Sequence, residues 1–291
     1  MFDLASRASL LSTEARDITS VGMILIRLTF FISLAMFVVA CDSSPKVPTA
    51  PQKNYPVAIK DSTDRRAKAE TEWRRMLEAY GVPQTPPDLY PIIYTPRSLL
   101  GVTGGIKIMA AKPEPGNETI ALREAVKRFI DRWRDLLGAD LASISLVGGD
   151  QSSDIQRLIY RQANYPFQIA GNYGEMVAVV SADGRLMQID DRFIPVVEMP
   201  ARPQIEREVA ARSVVGRTFT YSDIAGREQR TQVTNPAEVS VKQAVILPIE
   251  KGDVIEVHLA WEIVAGSSLS WTVYIDAING EELKVVQNFQ T

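Results

Sequence analysis

Apolar residues that recur every three or four positions predict two amphipathic helices in the first half of the chain. The first helix covers residues 62–80, and its apolar stripe consists of Ala69, Trp73, Leu77 and Tyr80. The second covers residues 117–138, and its stripe consists of Leu122, Val126, Phe129, Trp133 and Leu136. Asn117 is a suitable N-cap for the second helix, and Gly138 is suited to end it. Both stripes are expected to pack in a core.

Further along the chain the period changes to two, which is typical of half-buried β-strands. The first group of predicted strands covers residues 158–165, 176–180 and 185–189, and residues 106–110, between the two helices, form one further short predicted strand. A short helix that begins at Pro203 separates this group from the second. The second group covers residues 244–248, 254–264, 271–276 and 282–286. The dipeptides Asp183-Gly184 and Asn279-Gly280 supply hairpin turns within the two groups.

A helix followed by antiparallel hairpins, seen twice in succession, predicts an α+β fold. We expect two successive helix-plus-antiparallel-sheet units, over residues 93–199 and 200–291. Residues 62–92 then form a helix and a Pro-rich connector before the first unit. Asp276 lies where a strand meets the second hairpin turn, so we expect its side chain to cap that turn through backbone hydrogen bonds.

The N-terminal region has the pattern of an export signal. Arg27 precedes an apolar run of 13 residues that ends at Ala40, which is the length of a signal-peptide hydrophobic region. Val38-Val39-Ala40-Cys41 resembles the lipobox cleaved by lipoprotein signal peptidase, and Cys41 is the only cysteine. We therefore predict a signal peptide over residues 23–40 and lipid attachment at Cys41. The alternative is an uncleaved transmembrane helix, which Arg27 would oppose by about 2.5–3.5 kcal/mol.

The segments on either side of the signal peptide are interpreted separately. Residues 1–22 contain three acidic side chains, which suit a signal peptide poorly, so we interpret them as a non-native N-terminal extension. Residues 41–61 are polar and rich in proline, which is typical of an extended tether. The mature protein is thus expected in the cell envelope, lipid-anchored to a membrane and facing the periplasm or the exterior.

Composition argues against several classes of function. The net charge of −3 and the pI near 5.5 argue against a nucleic-acid partner, which usually calls for a basic excess. One cysteine and one histidine leave neither an internal disulfide nor a zinc cluster. Gly104-Gly105 and Gly148-Gly149-Asp150 are too short for phosphate loops and are predicted to be turns. We assign no cofactor and no metal.

Two sets of residues are candidates for catalytic groups. His258 lies on the polar side of its predicted strand, where we expect a surface or edge histidine, and no nucleophile motif accompanies it. Glu256 and Glu262 could form the carboxylate pair of a glycosidase. The chain has 35 acidic residues, so such pairs arise easily by chance. We therefore assign no catalytic residue.

Several segments resemble the propeptides of thermolysin-type and fungalysin-type metalloproteases. Residues 94–101 resemble the opening segment of the fungalysin/thermolysin propeptide (FTP) domain, and residues 158–165 resemble one of its strands. Residues 259–263 and 271–283 are similar to the PepSY domain pattern that ends in Asp-Ala-x-x-Gly-Glu. The resemblance implies a standalone bacterial lipoprotein with an FTP-like domain followed by a PepSY-like domain.

The resemblance also implies a role, because these domains assist the folding of a linked protease and inhibit it until they are removed. A His-Glu-x-x-His protease helix cannot form here, since the chain has one histidine. We expect a membrane-anchored, non-catalytic binding module, an inhibitor or folding chaperone of an exported peptidase. The alternative is a structural or scaffolding envelope lipoprotein that keeps the fold without binding a peptidase. A carboxylate-dependent hydrolase is the third hypothesis.

Overall fold

The computed structural model describes residues 54–110, 116–152 and 154–290. The predictions for residues 1–22, for the signal peptide and for lipid on Cys41 lie outside these residues. In the described chain, helices pack with antiparallel sheets, so the predicted α+β class is confirmed.

The elements follow one another along the chain, and the longest stretch without a helix or strand among the described residues covers residues 192–206. The first half contains β1 (Val57–Lys60), α1 (Thr63–Ala79), β2 (Asp88–Leu89), β3 (Pro96–Ser98), β4 (Ile106–Lys107), α2 (Glu118–Arg132), α3 (Arg134–Leu137), β5 (Ile144–Gln151), β6 (Ile155–Gln162) and β7 (Gln168–Ile169). The second half contains β8 (Glu175–Ser181), β9 (Arg185–Asp191), α4 (Arg207–Val214), β10 (Thr218–Ser222), β11 (Glu228–Gln232), β12 (Val239–Lys251), β13 (Val254–Ala265), β14 (Trp271–Asp276) and β15 (Glu282–Gln287).

Two sheets organise the molecule. The first sheet has the order β4-β9-β8-β6-β5 and is antiparallel throughout. The second has the order β15-β14-β13-β12-β7, and β1 pairs with residues 254–257 at the start of β13. Among the described strands, only the short β7–β12 pair is parallel. The pairs β2–β3 and β10–β11 form two small additional ladders.

The helices confirm the two predicted apolar stripes. α1 starts after Ser62, whose side chain accepts a hydrogen bond from the backbone N–H of Arg65, as an N-cap does. The stripe residues of α1 are buried in one core with those of α2 and with the first sheet. The second predicted helix is divided at Trp133, because α2 ends at Arg132 and α3 adds one turn from Arg134. Gly138 closes α3 in the left-handed region, at φ 60°.

One predicted boundary is wrong. The helix predicted within residues 62–92 is α1, and its Trp73 is fully buried in the core of the first sheet. The tether cannot extend to residue 61, because β1 lies inside that range and pairs with β13. Ile59 points into the core at 4% exposure, which explains why this short apolar alternation folds as a strand. The second sheet also takes β7 from before residue 200.

The strands missed from the sequence are those with few apolar side chains. Gly148-Gly149-Asp150 is not a turn but lies within β5, at an irregularity in its register with β6. A β-carbon on Gly149 would lie 2.4 Å from the carbonyl oxygen of Arg157, so the two backbones approach too closely for a side chain. β10 and β11 consist mainly of polar residues, with two aromatic residues in β10. The hydrophobic pattern therefore did not indicate these strands.

No helix within residues 54–110, 116–152 and 154–290 is long and apolar enough to span a bilayer. The longest of these helices, α1, has 17 residues and carries charged side chains along its length.

Candidate functional site

His258, the only histidine of the chain, is buried at 4% exposure in the middle of β13. The prediction of a surface histidine is therefore wrong. On one edge of β13, β1 pairs with residues 254–257 and β14 pairs with residues 260–265. The unpaired stretch between these two neighbours is covered by Tyr55, which precedes β1. A side chain about 200 positions away in sequence thus helps to bury the histidine.

Both ring nitrogens of His258 face carboxylates. Nδ1 lies 2.9 Å from Oδ2 of Asp276, and Nε2 lies 3.2 Å from Oε2 of Glu256. A carboxylate only accepts hydrogen bonds, so both contacts are hydrogen bonds only when both nitrogens carry a proton. The ring thus lies between two carboxylates. Lys251 adds a cation beside Glu256, with Nζ 2.6 Å from Oε2 of Glu256.

The hydroxyl of Tyr55 joins this network to the backbone of β13 in the unpaired stretch between β1 and β14. It donates to Oδ2 of Asp276 at 2.9 Å and accepts from the backbone N–H of Leu259 at 3.0 Å. The Tyr55 ring also meets the His258 ring edge-on, with centroids 5.9 Å apart. Burial, and then the charge of Asp276, raise the pKa of the Tyr55 phenol. The hydroxyl therefore stays protonated and acts as a donor.

Asp276 is fully buried and uses both carboxylate oxygens. Oδ1 accepts from the backbone N–H groups of Ile278 at 2.8 Å and Asn279 at 3.1 Å, which confirms the predicted turn cap. Burial by itself raises the pKa of Asp276, but hydrogen bonds from His258, the two amides and Tyr55 outweigh it and lower the pKa. Asp276 is thus an ionised group that ties together the N-terminal end of the fold, β13 and the β14–β15 turn.

Glu256 and Glu262 do not form a glycosidase pair. They lie on the same face of β13, six positions apart, which separates their backbones by about 20 Å. The two carboxyl groups of a glycosidase lie about 5–9.5 Å apart. Glu262 instead accepts a hydrogen bond from the Gln243 side chain at 3.1 Å. The acid pair considered from the sequence is therefore wrong for these residues.

A cleft of about 430 Å³ opens beside β12, beyond the end of β7. Its walls come from separate segments of the chain, which is why no local motif indicated it. The residues that matter for its chemistry are Tyr90, Tyr173, Arg192, Pro248, Glu250 and Lys284. The cleft joins the edge of β12 to the start of β15.

The two tyrosines of the cleft are held in place by acidic residues. Tyr90 donates to Oδ1 of Asp190 at 2.8 Å, and the guanidinium carbon of Arg192 lies 5.0 Å from the centre of the Tyr90 ring. Tyr173 donates to Glu250 on the opposite side. Burial, and then the hydrogen bond to Glu250, raise the pKa of Tyr173, so this donor also stays protonated.

Two cations face the cleft and differ in their surroundings. Arg192 is already paired, with Nε 3.1 Å from Oδ1 of Asp190, and this hydrogen bond raises its pKa. Lys284 is exposed and has no ion-pair partner in the described part of the chain. The cleft thus combines two ordered aromatic walls with Lys284, which has no ion-pair partner among the described residues, and with Glu250, whose carboxylate accepts from a neutral phenol.

Comparisons with known proteins leave the family open. No family model matches the chain, and no curated protein matches it. Among solved structures, the chain is similar to the Bacillus megaterium YpeB C-terminal domain, with 14% sequence identity and a TM-score of 0.30. The similarity covers 62% of this chain and 68% of that chain. A likeness this weak carries no argument about function, and the resemblance to FTP and PepSY domains stays a prediction.

Proposed function

We propose that the protein is a lipid-anchored, non-catalytic binding module of the cell envelope, and that its partner is an exported peptidase which it inhibits or helps to fold. The cleft beside β12 carries the proposal, because it combines an accessible strand edge with aromatic walls, a combination suited to an extended segment of another protein. The resemblance to protease propeptides supplies the class of partner, and the lipobox at Cys41 supplies the anchor.

The buried network supports a structural rather than a catalytic role for the one histidine. Both nitrogens of His258 are used by Asp276 and Glu256, and the network reaches Tyr55, just before β1. These contacts fix the position at which the chain enters the sheet. The histidine acts here as a structural bridge between two carboxylates.

The anchor would keep the module close to the membrane. Each buried methylene of an acyl chain contributes about 0.8 kcal/mol, so two or more chains make release negligible. Twelve residues separate Cys41 from Asn54, the first described residue, which is a short distance along the chain. The partner is therefore expected at the membrane surface.

An inhibition assay tests the proposal. The full-length chain, purified in detergent, is titrated into each secreted metallopeptidase of the same organism, and both residual activity and refolding yield are measured. We expect at least one peptidase to lose activity or to refold in higher yield. A Cys41→Ser variant should leave this effect unchanged in detergent but should abolish membrane association in cells.

The scaffolding alternative is favoured by a different observation. The outer face of the first sheet exposes apolar side chains, with Val147 at 47%, Ile155 at 45% and Met187 at 44% exposure. Exposed apolar groups on one face are suited to a stable protein contact. If no exported peptidase responds to the protein and native membranes yield only stable envelope partners, the scaffolding function replaces the one proposed.

A further inference from the structure

We propose that residues 54–61 form a strap that opens while the rest of the fold stays intact, and that its opening uncovers His258 and one edge of β13. The strap contains Tyr55 and β1, and it directly follows the segment that the sequence predicts to be a tether. The inference goes beyond the proposed function, because it concerns a movement within the described chain and requires no particular partner.

The strap is held by few buried side chains. Ile59 is buried at 4% exposure, and the other residues of the strap are half-buried or exposed. The four residues of β1 pair with residues 254–257, and the backbone N–H of Asp61 donates to the carbonyl oxygen of Asp253 at 3.0 Å. An edge segment with one buried apolar side chain opens more readily than a strand in the middle of a core.

One end of the strap is fixed to the neighbouring elements. The Tyr94 hydroxyl donates to Oδ1 of Asp61, and the Arg65 guanidinium donates to the carbonyl oxygen of Lys60 at 3.2 Å. The helix α1, which follows the strap, packs in the core of the first sheet. These contacts hold the end at residues 60 and 61, so the end that carries Tyr55 is the one that moves.

A single hydroxyl group holds the moving end. The Tyr55 hydroxyl donates to Oδ2 of Asp276 at 2.9 Å and accepts from the backbone N–H of Leu259 at 3.0 Å. The Tyr55 ring meets the His258 ring edge-on and covers it from this side. Loss of the two hydrogen bonds therefore frees the strap and uncovers the imidazole.

The second sheet does not depend on the strap for its other pairings. β12 pairs with β13 from residue 254 to residue 265, on the edge opposite the strap, and β14 pairs with residues 260–265. β13 thus keeps a partner along its whole length when β1 leaves. Opening exposes the edge of β13 before residue 260 and the site filled by Ile59, and the remaining strands stay together.

The single histidine of the chain makes the opening measurable. Diethyl pyrocarbonate adds an ethoxycarbonyl group to an accessible imidazole, and ultraviolet absorbance follows this reaction. The full-length protein, without a histidine tag, is treated in detergent at neutral pH and at urea concentrations below the unfolding transition. We expect the logarithm of the reaction rate to rise with urea at less than about a third of the slope for global unfolding, because the strap exposes little surface. A slope equal to that of global unfolding would overturn the proposal, since His258 would then react only in the unfolded chain.

Two tyrosine variants test the contact that holds the moving end. Tyr55→Phe removes the hydroxyl, so His258 should react about 10- to 150-fold faster, the fold-change that corresponds to one hydrogen bond to a charged group. Tyr221→Phe is the matched control, because the Tyr221 hydroxyl makes no hydrogen bond among the described residues, and its rate should equal that of the wild type. Equal rates in the two variants would contradict the role of Tyr55.

A reversible disulfide locks the strap in place. Ala58 and Glu256 lie directly opposite each other in the β1–β13 register, at a separation that a disulfide can bridge. Ala58→Cys and Glu256→Cys are combined with Cys41→Ser, and the oxidised form of this protein is compared with its reduced form. Both forms lack the Glu256 carboxylate, so the comparison isolates the lock.

Oxidation should slow the reaction of His258 by about ten-fold or more, because the locked strap no longer leaves the edge of β13. Equal rates in the oxidised and reduced forms would show that the reagent reaches His258 without movement of the strap. That result would overturn the proposal.

Discussion

Replacing Tyr55 by phenylalanine removes one oxygen atom from the buried network and keeps the aromatic ring. The hydroxyl makes two well-formed hydrogen bonds, to the carboxylate of Asp276 at 2.9 Å and from the N–H of Leu259 at 3.0 Å. The edge-on contact of the ring with His258 survives the change. The substitution therefore isolates the contribution of the hydroxyl.

The magnitude follows from what each partner loses. A hydrogen bond to a charged group contributes about 1.5–3 kcal/mol, and a buried N–H left without a partner loses about 1–3 kcal/mol. Leu259 is fully buried, so water does not easily replace the hydroxyl. The two losses share one oxygen and are not additive, and we expect the free energy of unfolding to fall by about 2–4 kcal/mol. That is a large fraction of the typical 5–15 kcal/mol.

Urea-induced unfolding at neutral pH measures this loss. Tyr221→Phe is the matched control, because the Tyr221 hydroxyl makes no hydrogen bond among the described residues, and we expect a change within about 0.5 kcal/mol. A double-mutant cycle with Asp276→Asn should give a coupling energy of at least about 1 kcal/mol. If Tyr55→Phe is no more destabilising than the control, the hydroxyl does not hold the start of the fold.

Three further predictions concern protonation and close packing. Burial, and to a smaller degree the neighbouring charge of Asp190, raise the pKa of Asp191 well above its usual range. A neutral acid in the fold loses stability as pH rises above the unfolded pKa, by about 1.4 kcal/mol per pH unit, so Asp191→Asn should flatten the decline of unfolding free energy from pH 4 toward neutral. His258→Gln should destabilise by about 3–5 kcal/mol at neutral pH, where its two carboxylate partners are ionised. The pKa values of Asp276 and Glu256 are lowered in the fold, so their contribution to the free energy of unfolding is present above about pH 4 and is lost as pH falls through the folded pKa. The difference in unfolding free energy between the wild type and His258→Gln should therefore shrink in acid. Gly149→Ala should destabilise by about 1–3 kcal/mol, since the new β-carbon would meet a backbone oxygen at 2.4 Å.

Each of these three has a result that would contradict it. Urea unfolding across pH would contradict the Asp191 prediction if the wild type and the asparagine variant showed parallel slopes. For His258→Gln, a deficit that stays constant down to pH 3 would show that ionised carboxylates are not involved. Gly148→Ala is the control for Gly149→Ala, because its nearest neighbour is a side-chain atom at 3.9 Å. Equal effects of the two glycine changes would exclude a specific backbone clash.

The elements with strong periodicity could be predicted from the sequence. The stripes of α1 and α2 follow directly from burial on one face, and the structure confirms them. The strand β13 was predicted, but residues 257–260 are buried on both faces, so its predicted half-buried alternation is wrong in the middle of the strand. β5 and the β10–β11 hairpin could not be predicted in this way, because their side chains are mostly polar and their pairing is set by neighbouring strands.

The candidate sites could not be predicted from local sequence patterns, because they join residues that are distant in sequence. His258 was predicted to be exposed because it shares one face of its strand with Glu256 and Glu262. Tyr55 and Asp276, from distant parts of the chain, cover that histidine. The turn cap of Asp276 could be predicted, since its partners are two and three residues away. The cleft combines residues as far apart as Tyr90 and Lys284, so only the fold shows that they meet.

The most direct test of the account is photocrosslinking in living cells. A photoreactive amino acid is placed at position 284 in the cleft or, as a control, at position 242 on the exposed part of β12, and the crosslinked partners are identified by mass spectrometry. The account predicts an exported peptidase crosslinked from position 284 and absent from position 242. Crosslinks from position 284 to non-peptidase envelope proteins alone would contradict the proposed function.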